Sequence, residues 1–329
     1  MGRALRFFEP WDMLLIGLAA LTIGYGVMFV PNFLSAFNLS QLAAGVAEKA
    51  LLVLPMVLLI VAREIDLSVA SILALTSVAL GLMIQAGIPT PLALLLTLAA
   101  GAALGGINGY LVAVLGLPSL VVTLGTMAMY RGIGYILLGT GSINIFPESF
   151  TNFGNDSIPG TEIPWVIVPF LVLAPLFAAA LHYMPAGKRI YAIGGNPNAA
   201  RYSGIGIDRV RFWLFVVSGV VCAVAGMVYA ARLSNARANN AVGMELDVIT
   251  IALLGGVSVF GGRGKLSGVI WALILLASLR NILGLSQIGG DAQGTVVGLL
   301  LIGSLLVSNS TSFLVGWFHS TGLANRASG

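Results

Sequence analysis

The chain is built almost entirely of apolar runs of about 20 residues, the length a helix needs to cross a bilayer, joined by short polar connections. Hydropathy and charge asymmetry place these runs near 11–30, 42–62, 68–87, 91–115, 118–138, 164–183, 212–232, 247–260, 267–284 and 292–308. About ten spans use about 200 of the 329 residues, which leaves too little for a separate soluble domain. The expectation is therefore all-α: a polytopic membrane protein of about ten transmembrane helices, with residues 1–329 forming a single transmembrane domain. Only 9% of the residues are charged, against roughly 25% in soluble domains. The 42 glycines agree, because small residues let transmembrane helices approach closely. Since 247–260 is short and 312–318 (SFLVGWF) suits the interface, counts of eight, nine or eleven stay open.

Charge sets the orientation. With Arg3 and Arg6 inside, the basic groups Arg63, Lys188 to Arg211, and Arg263 with Lys265 fall on the cytoplasmic side. Glu148, Asp156, Glu162, Glu245 and Asp291 then fall outside, and an even number of spans returns Arg326 and the C-terminus to the cytoplasm. Both termini are expected there. The first run lacks a convincing cleavage site and reads as a retained anchor. The sequence pI of about 9.4 reflects this topology and not nucleic-acid binding. Cys222 is the only cysteine, which excludes an intrachain disulfide and argues against a cysteine metal site. Residues 139–163 form an extracytoplasmic loop rich in Gly, Asn, Ser and Pro. It reads either as a solvated connection or as a cap over a pathway or a place for an external partner.

The segment 184–211 is polar and basic in an otherwise membrane-soluble chain. Within it, Asn196 suits an N-cap, Pro197 the first helical position and Gly204 the left-handed residue that ends a helix. A helix of two turns or less between two spans is too small to be a core, so something outside the membrane is expected to read it.

Enzyme signatures are missing. His182 and His319 lie far apart near span ends, and zinc spacing such as H-E-x-x-H is absent. GGRGKLSG (Gly261–Gly268) looks superficially like a phosphate loop. Leu266, however, stands where Ser or Thr must ligate magnesium, and Val259 replaces the first glycine. A tight glycine turn is the better reading, so no cofactor is expected in this chain.

Polar residues beside the runs are candidates for a pathway or gate. Arg63, Glu64 and Asp66 sit between two apolar runs, where Asp66 or Ser68 can cap the following helix. No second buried carboxylate is evident beside Asp66, which argues against a proton relay. Arg131 lies inside a run with Thr123, Thr126, Tyr130 and Tyr135 on its flanks. It serves either a passage for a polyol or helix–helix hydrogen bonding. Asn108, Asn281 and Gln287 are weaker candidates.

Four ordered segments then carry a resemblance to the permease subunits of bacterial ABC importers for monosaccharides, the ribose, rhamnose and autoinducer-2 group. EIDLSVASILAL (Glu64–Leu75) looks like that family's G-G-I-D-L-S-V-G-S, with Glu64 and Ala70 replacing glycines. Ile107–Leu137 is similar to its N-G-x-L-V…P-S-x-V-T-L-G-T…R-G block, Gly187–Ile205 to its cytoplasmic loop, and Leu253–Gly268 to its second glycine turn. The wording at Glu64–Ser68 is most like the rhamnose branch. The resemblance implies a multi-pass protein of the bacterial inner membrane. It would work with a second permease subunit, identical or different, a cytoplasmic ATPase that holds the ATP and Mg, and an extracytoplasmic sugar-binding protein. The segment 184–211 becomes the coupling loop, with Asn196, Pro197, Ala199, Ala200, Arg201 and Gly204 docking on the ATPase, and Arg201, Arg209 and Arg211 facing it or anionic lipid. Asp66, Asn108, Thr126, Tyr130 and Arg131 remain the pathway or gate candidates. Competing readings are a branched-chain amino acid permease of the same fold, an ion-coupled secondary transporter and a polytopic enzyme. The clear charges fall mostly at span ends, which argues against strong ion coupling.

Overall fold

The computed structural model describes residues 10–290, 292–296 and 298–299. The helices are α1 (Pro10–Phe29), α2 (Ala36–Val61), α3 (Val69–Gln85), α4 (Thr90–Gly109), α5 (Ser119–Leu138) and α6 (Glu148–Asn155). They continue as α7 (Val168–His182), α8 (Pro185–Gly195), α9 (Pro197–Tyr202), α10 (Ile207–Leu233), α11 (Met244–Leu254) and α12 (Leu266–Leu285). A π-helical turn, Tyr110–Val114, prolongs α4, and a 3-10 turn, Trp165–Ile167, leads into α7.

Among the described residues, seven helical stretches are long and apolar enough to cross a membrane, and they coincide with seven of the expected runs. The other expectations fare differently. The run at 68–87 is α3, whose 17 residues reach about 25 Å at about 1.5 Å per residue, just short of a hydrocarbon core of about 30 Å. The run at 247–260 is helical only as far as the end of α11, a helix of 11 residues and about 16 Å. It breaks because Gly255 and Gly256 end it and Gly256, Gly261, Gly262 and Gly264 all take positive φ, which turns the chain back toward α12. The run at 292–308 lies mostly outside the described residues. Arg3, Arg6, Asp291, 312–318, His319 and Arg326 lie wholly outside them.

Two helices form the centre. In α2 and α10, 83% and 67% of the most apolar window is buried inside the protein, against 22% in α1 and α4. The peripheral helices turn the rest of their apolar surface outward, as lipid-facing helices do. α4 meets α10 backbone to backbone. A Cβ at Gly105 would stand 2.2 Å from the Phe215 carbonyl oxygen, and one at Gly219 would stand 2.1 Å from that of Gly101. Gly101, Gly105 and Gly109 recur every fourth residue and form the small-residue seam by which membrane helices approach.

The loop 139–163 is exposed over much of its length, and part of it packs on the bundle. It folds into α6, whose Phe150 is buried with Leu80 and Ala230, and Gly154 lies flat on the end of α10. Ile143 pairs with Ala236 through two backbone hydrogen bonds, which ties this loop to the α10–α11 connection.

Candidate functional site

At one end of the bundle stands α9, the helix anticipated from its capping residues. The Asn196 side chain accepts the Ala199 N–H at 3.1 Å, Pro197 opens the helix, and Gly204 leaves it at φ +79°. Ala200 is buried against Ile193 and Ile207, and so anchors the helix inward. Asn198, Ala199 and Arg201 face outward, as does Tyr202, at 93% exposure. Arg201 pairs with Asp208 at 3.3 Å on the surface, where such a pair contributes little.

The base of α9 is joined to α2 through a single turn. Arg63 adopts φ +66°, and its N–H and that of Glu64 donate back to Ile60 and Leu59, which closes α2 in a Schellman motif. Glycine is the usual residue at that left-handed position. Arg63 stands there because its side chain is needed: Nε donates to the Gly194 carbonyl at 2.6 Å and a terminal nitrogen donates to Gly195 at 3.0 Å. The glycine turn after α11 closes the joint, since Gly262 N–H donates to the Val61 carbonyl at 2.8 Å. The Tyr191 hydroxyl donates to the Gly264 carbonyl, and Trp11 Nε1 donates to the Leu254 carbonyl at 2.9 Å. His182 Nε2 accepts the Leu266 N–H at 3.3 Å, so it closes the start of α12. The end of α2, the end of α8 and the α11–α12 turn thus meet beside α9.

Asp66 turns inward from the same α2–α3 turn and is fully buried. Its carboxylate accepts from the Ser68 N–H at 2.9 Å, the Ser68 hydroxyl, and the Ser218 hydroxyl of α10 at 3.0 Å. Asn108 Nδ2 donates to Ser68 Oγ at 2.8 Å, and the Tyr130 hydroxyl donates to the Leu104 carbonyl at 2.8 Å while lying 3.3 Å from Asn108 Oδ1. Asp66, Asn108 and Tyr130 therefore form one buried chain that joins α3, α4, α5 and α10. The expected capping of α3 takes another form: Ser68 holds the cap position without a side-chain bond, and Asp66 serves the turn itself. Thr126 is buried one turn past Thr123, whose hydroxyl lies 3.1 Å from the Ile65 carbonyl. Arg131 stands apart from this group and donates to the Ala238 and Asn240 carbonyls at 2.9 and 2.7 Å.

Buried charge goes beyond what was expected. Glu64 is a second buried carboxylate beside Asp66, where none was expected, and it stands 2.7 Å from Arg211. Burial pushes its pKa above the ordinary carboxylate range, while Arg211 and the Ser119 hydroxyl act against that shift. Midway along α2, Glu48 is 1% exposed and pairs with Arg232 of α10 at 2.7 Å. Its neighbour Lys49 stands 2.7 Å from Asp247 of α11, and Arg280 of α12 stands 2.6 Å from the other oxygen of Asp247. Charges are thus not confined to span ends. The adjacent Glu48–Lys49 inside an apolar run was the available signal, but their partners lie 184 and 198 residues away and no local pattern reveals them.

Comparison with known proteins agrees with this architecture. The family described as "Branched-chain amino acid transport system / permease component" matches residues 38–305. The L-arabinose transport system permease protein AraH of Escherichia coli (strain K12) is 33% identical over 92% of this chain and 90% of its own. The autoinducer 2 import system permease protein LsrD of Yersinia enterocolitica is 33% identical over 90% of this chain and 89% of its own, and that of Escherichia coli (strain K12) is 32% identical over 91% and 92%. No solved structure matches. With a family match over most of its length, relatives of this similarity and seven membrane-competent helical stretches among its described residues, the chain belongs to the inner-membrane permease subunits of bacterial ABC importers, in the group that serves monosaccharides.

Proposed function

We propose that this chain carries a monosaccharide, rhamnose-like or related, into the cytoplasm, and that α9 is the helix through which a separate ATPase drives it. The observation that carries the proposal is the joint at Arg63. A rigid, capped, outward-facing helix is clamped through Gly194 and Gly195 to the end of the central helix α2. In this reading ATP and Mg are held by the partner ATPase, whose closure displaces α9. The joint passes that displacement to α2 and to the α11–α12 turn, which tilts the walls of the path between two permease subunits. An extracytoplasmic binding protein delivers the sugar to the opposite end. Exposed Tyr202 and Ala199 form the docking face, because large aromatic groups are the usual anchors of such contacts. Ala200, Asn196, Pro197 and Gly204 hold the helix in shape, and Asp66, Asn108 and Tyr130 hold α3 to the core around the path.

The test is assembly and uptake. The permease is purified with the ATPase and binding protein encoded beside it, placed in proteoliposomes, and offered L-arabinose, L-rhamnose, D-ribose and leucine. ATP-dependent uptake of one of the sugars supports the reading. Uptake of leucine alone would instead favour an amino acid importer, the substrate class in the family's description. Uptake without any ATPase would point to a secondary transporter.

A further inference from the structure

The central helix α2 is buried along most of its length, yet its first half is partly open. Gln41 and Gly45 are exposed and Lys49 partly so, at intervals of four residues that put them on one face. This stripe starts at the end of α2 remote from α9 and stops midway along the helix. It faces α11 and α12 across a cavity of about 230 Å³, on whose wall Asp247, Arg280 and Asn281 stand opposite Lys49. Asn281 is fixed by a reciprocal pair of 2.9 Å hydrogen bonds with Asn38.

A lipid-facing position does not suit these groups. Lys49, Asp247 and Arg280 keep 20–32% side-chain exposure, and charges at membrane depth turn toward water or toward protein partners. One carboxylate meets two cations here, so the cluster keeps a net positive charge and spare N–H donors. Val46, Ile251 and Leu276 supply an apolar wall beside it. The volume lies below the about 300–1,000 Å³ of drug-sized sites and suits a molecule no larger than a single sugar ring. Donors and a carboxylate next to an apolar wall match a sugar, which presents hydroxyls at its edge and C–H groups on its face. The walls are also the elements gathered beside α9, since α2 ends at Arg63 and the turn between α11 and α12 is bonded to Val61.

We propose that this cavity is a sugar-contacting station of the translocation path, with Lys49, Asp247 and Arg280 as hydroxyl-binding groups. It rests on the importer reading above, and the experiment separates the two. Cys222, the one native cysteine, is replaced by alanine, and Gly45→Cys is introduced; nothing lies within 4 Å of a Cβ at that position. Ile136→Cys, at an 84% exposed apolar position on α5, is the lipid-facing control. The complex with its ATPase and binding protein is treated with a membrane-impermeant thiol reagent, and uptake of labelled L-arabinose, L-rhamnose and D-ribose is measured. The substitutions Lys49→Met and Arg280→Gln are made separately, because Asp247 keeps one cation in each.

The expected result is that Gly45→Cys reacts, Ile136→Cys does not, and whichever sugar enters protects Gly45→Cys. Each cation variant then lowers uptake by about tenfold, the effect of losing one charge-assisted hydrogen bond, with ATPase binding retained. If the wild-type complex imports a sugar while Gly45→Cys stays inert, or while both variants import at the wild-type rate, the site is overturned and the importer reading stands. If the wild-type complex binds no ATPase or imports none of the sugars, the importer reading falls and the site with it.

Discussion

At the scale of single residues, Arg63 decides most. A left-handed non-glycine residue costs roughly 1–2 kcal/mol, and here the cost is offset by two hydrogen bonds from its guanidinium group to α8. Arg63→Gly removes both effects, so the melting temperature of the purified complex is expected to change little. Uptake per ATP hydrolysed is expected to fall severalfold, because α9 and α2 are no longer clamped. A large loss of thermal stability with unchanged coupling would show that Arg63 only closes a turn. Its role was hidden from the sequence, because a left-handed cap is legible when written as glycine and not when written as arginine. Gly204, with φ +79°, is the legible case.

Among the elements, α9 was readable in detail because its shape is set locally, by Asn196, Pro197 and Gly204. What the local pattern could not tell was which face points inward. Ala199 and Ala200 look alike in sequence, but Ala200 is packed on Ile193 and Ile207 and Ala199 is open. Ala199→Trp is therefore expected to leave the permease folded and abolish co-purification of the ATPase. Ala200→Trp is expected to unseat α9 and lower stability by about 1–3 kcal/mol, the usual effect of overpacking. Equal behaviour of the two in pull-down and thermal melting would contradict this orientation. Hydropathy likewise located α2, α4, α5, α7, α10 and α12 well. It overextended α11, because periodicity does not register where glycines at positive φ interrupt an apolar run.

For the whole molecule, stability depends on contacts between distant segments. The seam of α4 and α10 has no room for a side chain, since a Cβ at Gly105 would stand 2.2 Å from a carbonyl oxygen. Gly105→Leu is expected to abolish stable monodisperse protein in size-exclusion chromatography, whereas the same change at Gly125, with nothing within 4 Å, is tolerated. The buried pair Glu48–Arg232 gives a thermodynamic test. Removing one partner leaves a charge uncompensated and is expected to cost about 3–5 kcal/mol, while Glu48→Gln with Arg232→Met together costs far less. Additive losses in a double-mutant cycle would deny the coupling. Pairings of this kind account for what the sequence left unread: Glu48, Lys49 and Arg280 each need a partner brought in by the tertiary fold.

Gly194 carries the last consequence. A Cβ there would stand 1.7 Å from the Val61 carbonyl oxygen, so two stretches of backbone touch with no side chain between them. Side chains act as springs, because they change rotamer and absorb small displacements. This contact has none. Whatever displaces α8 is transmitted to α2 as in a gear train without backlash, and even a shift of a fraction of an ångström reaches the central helix undiminished.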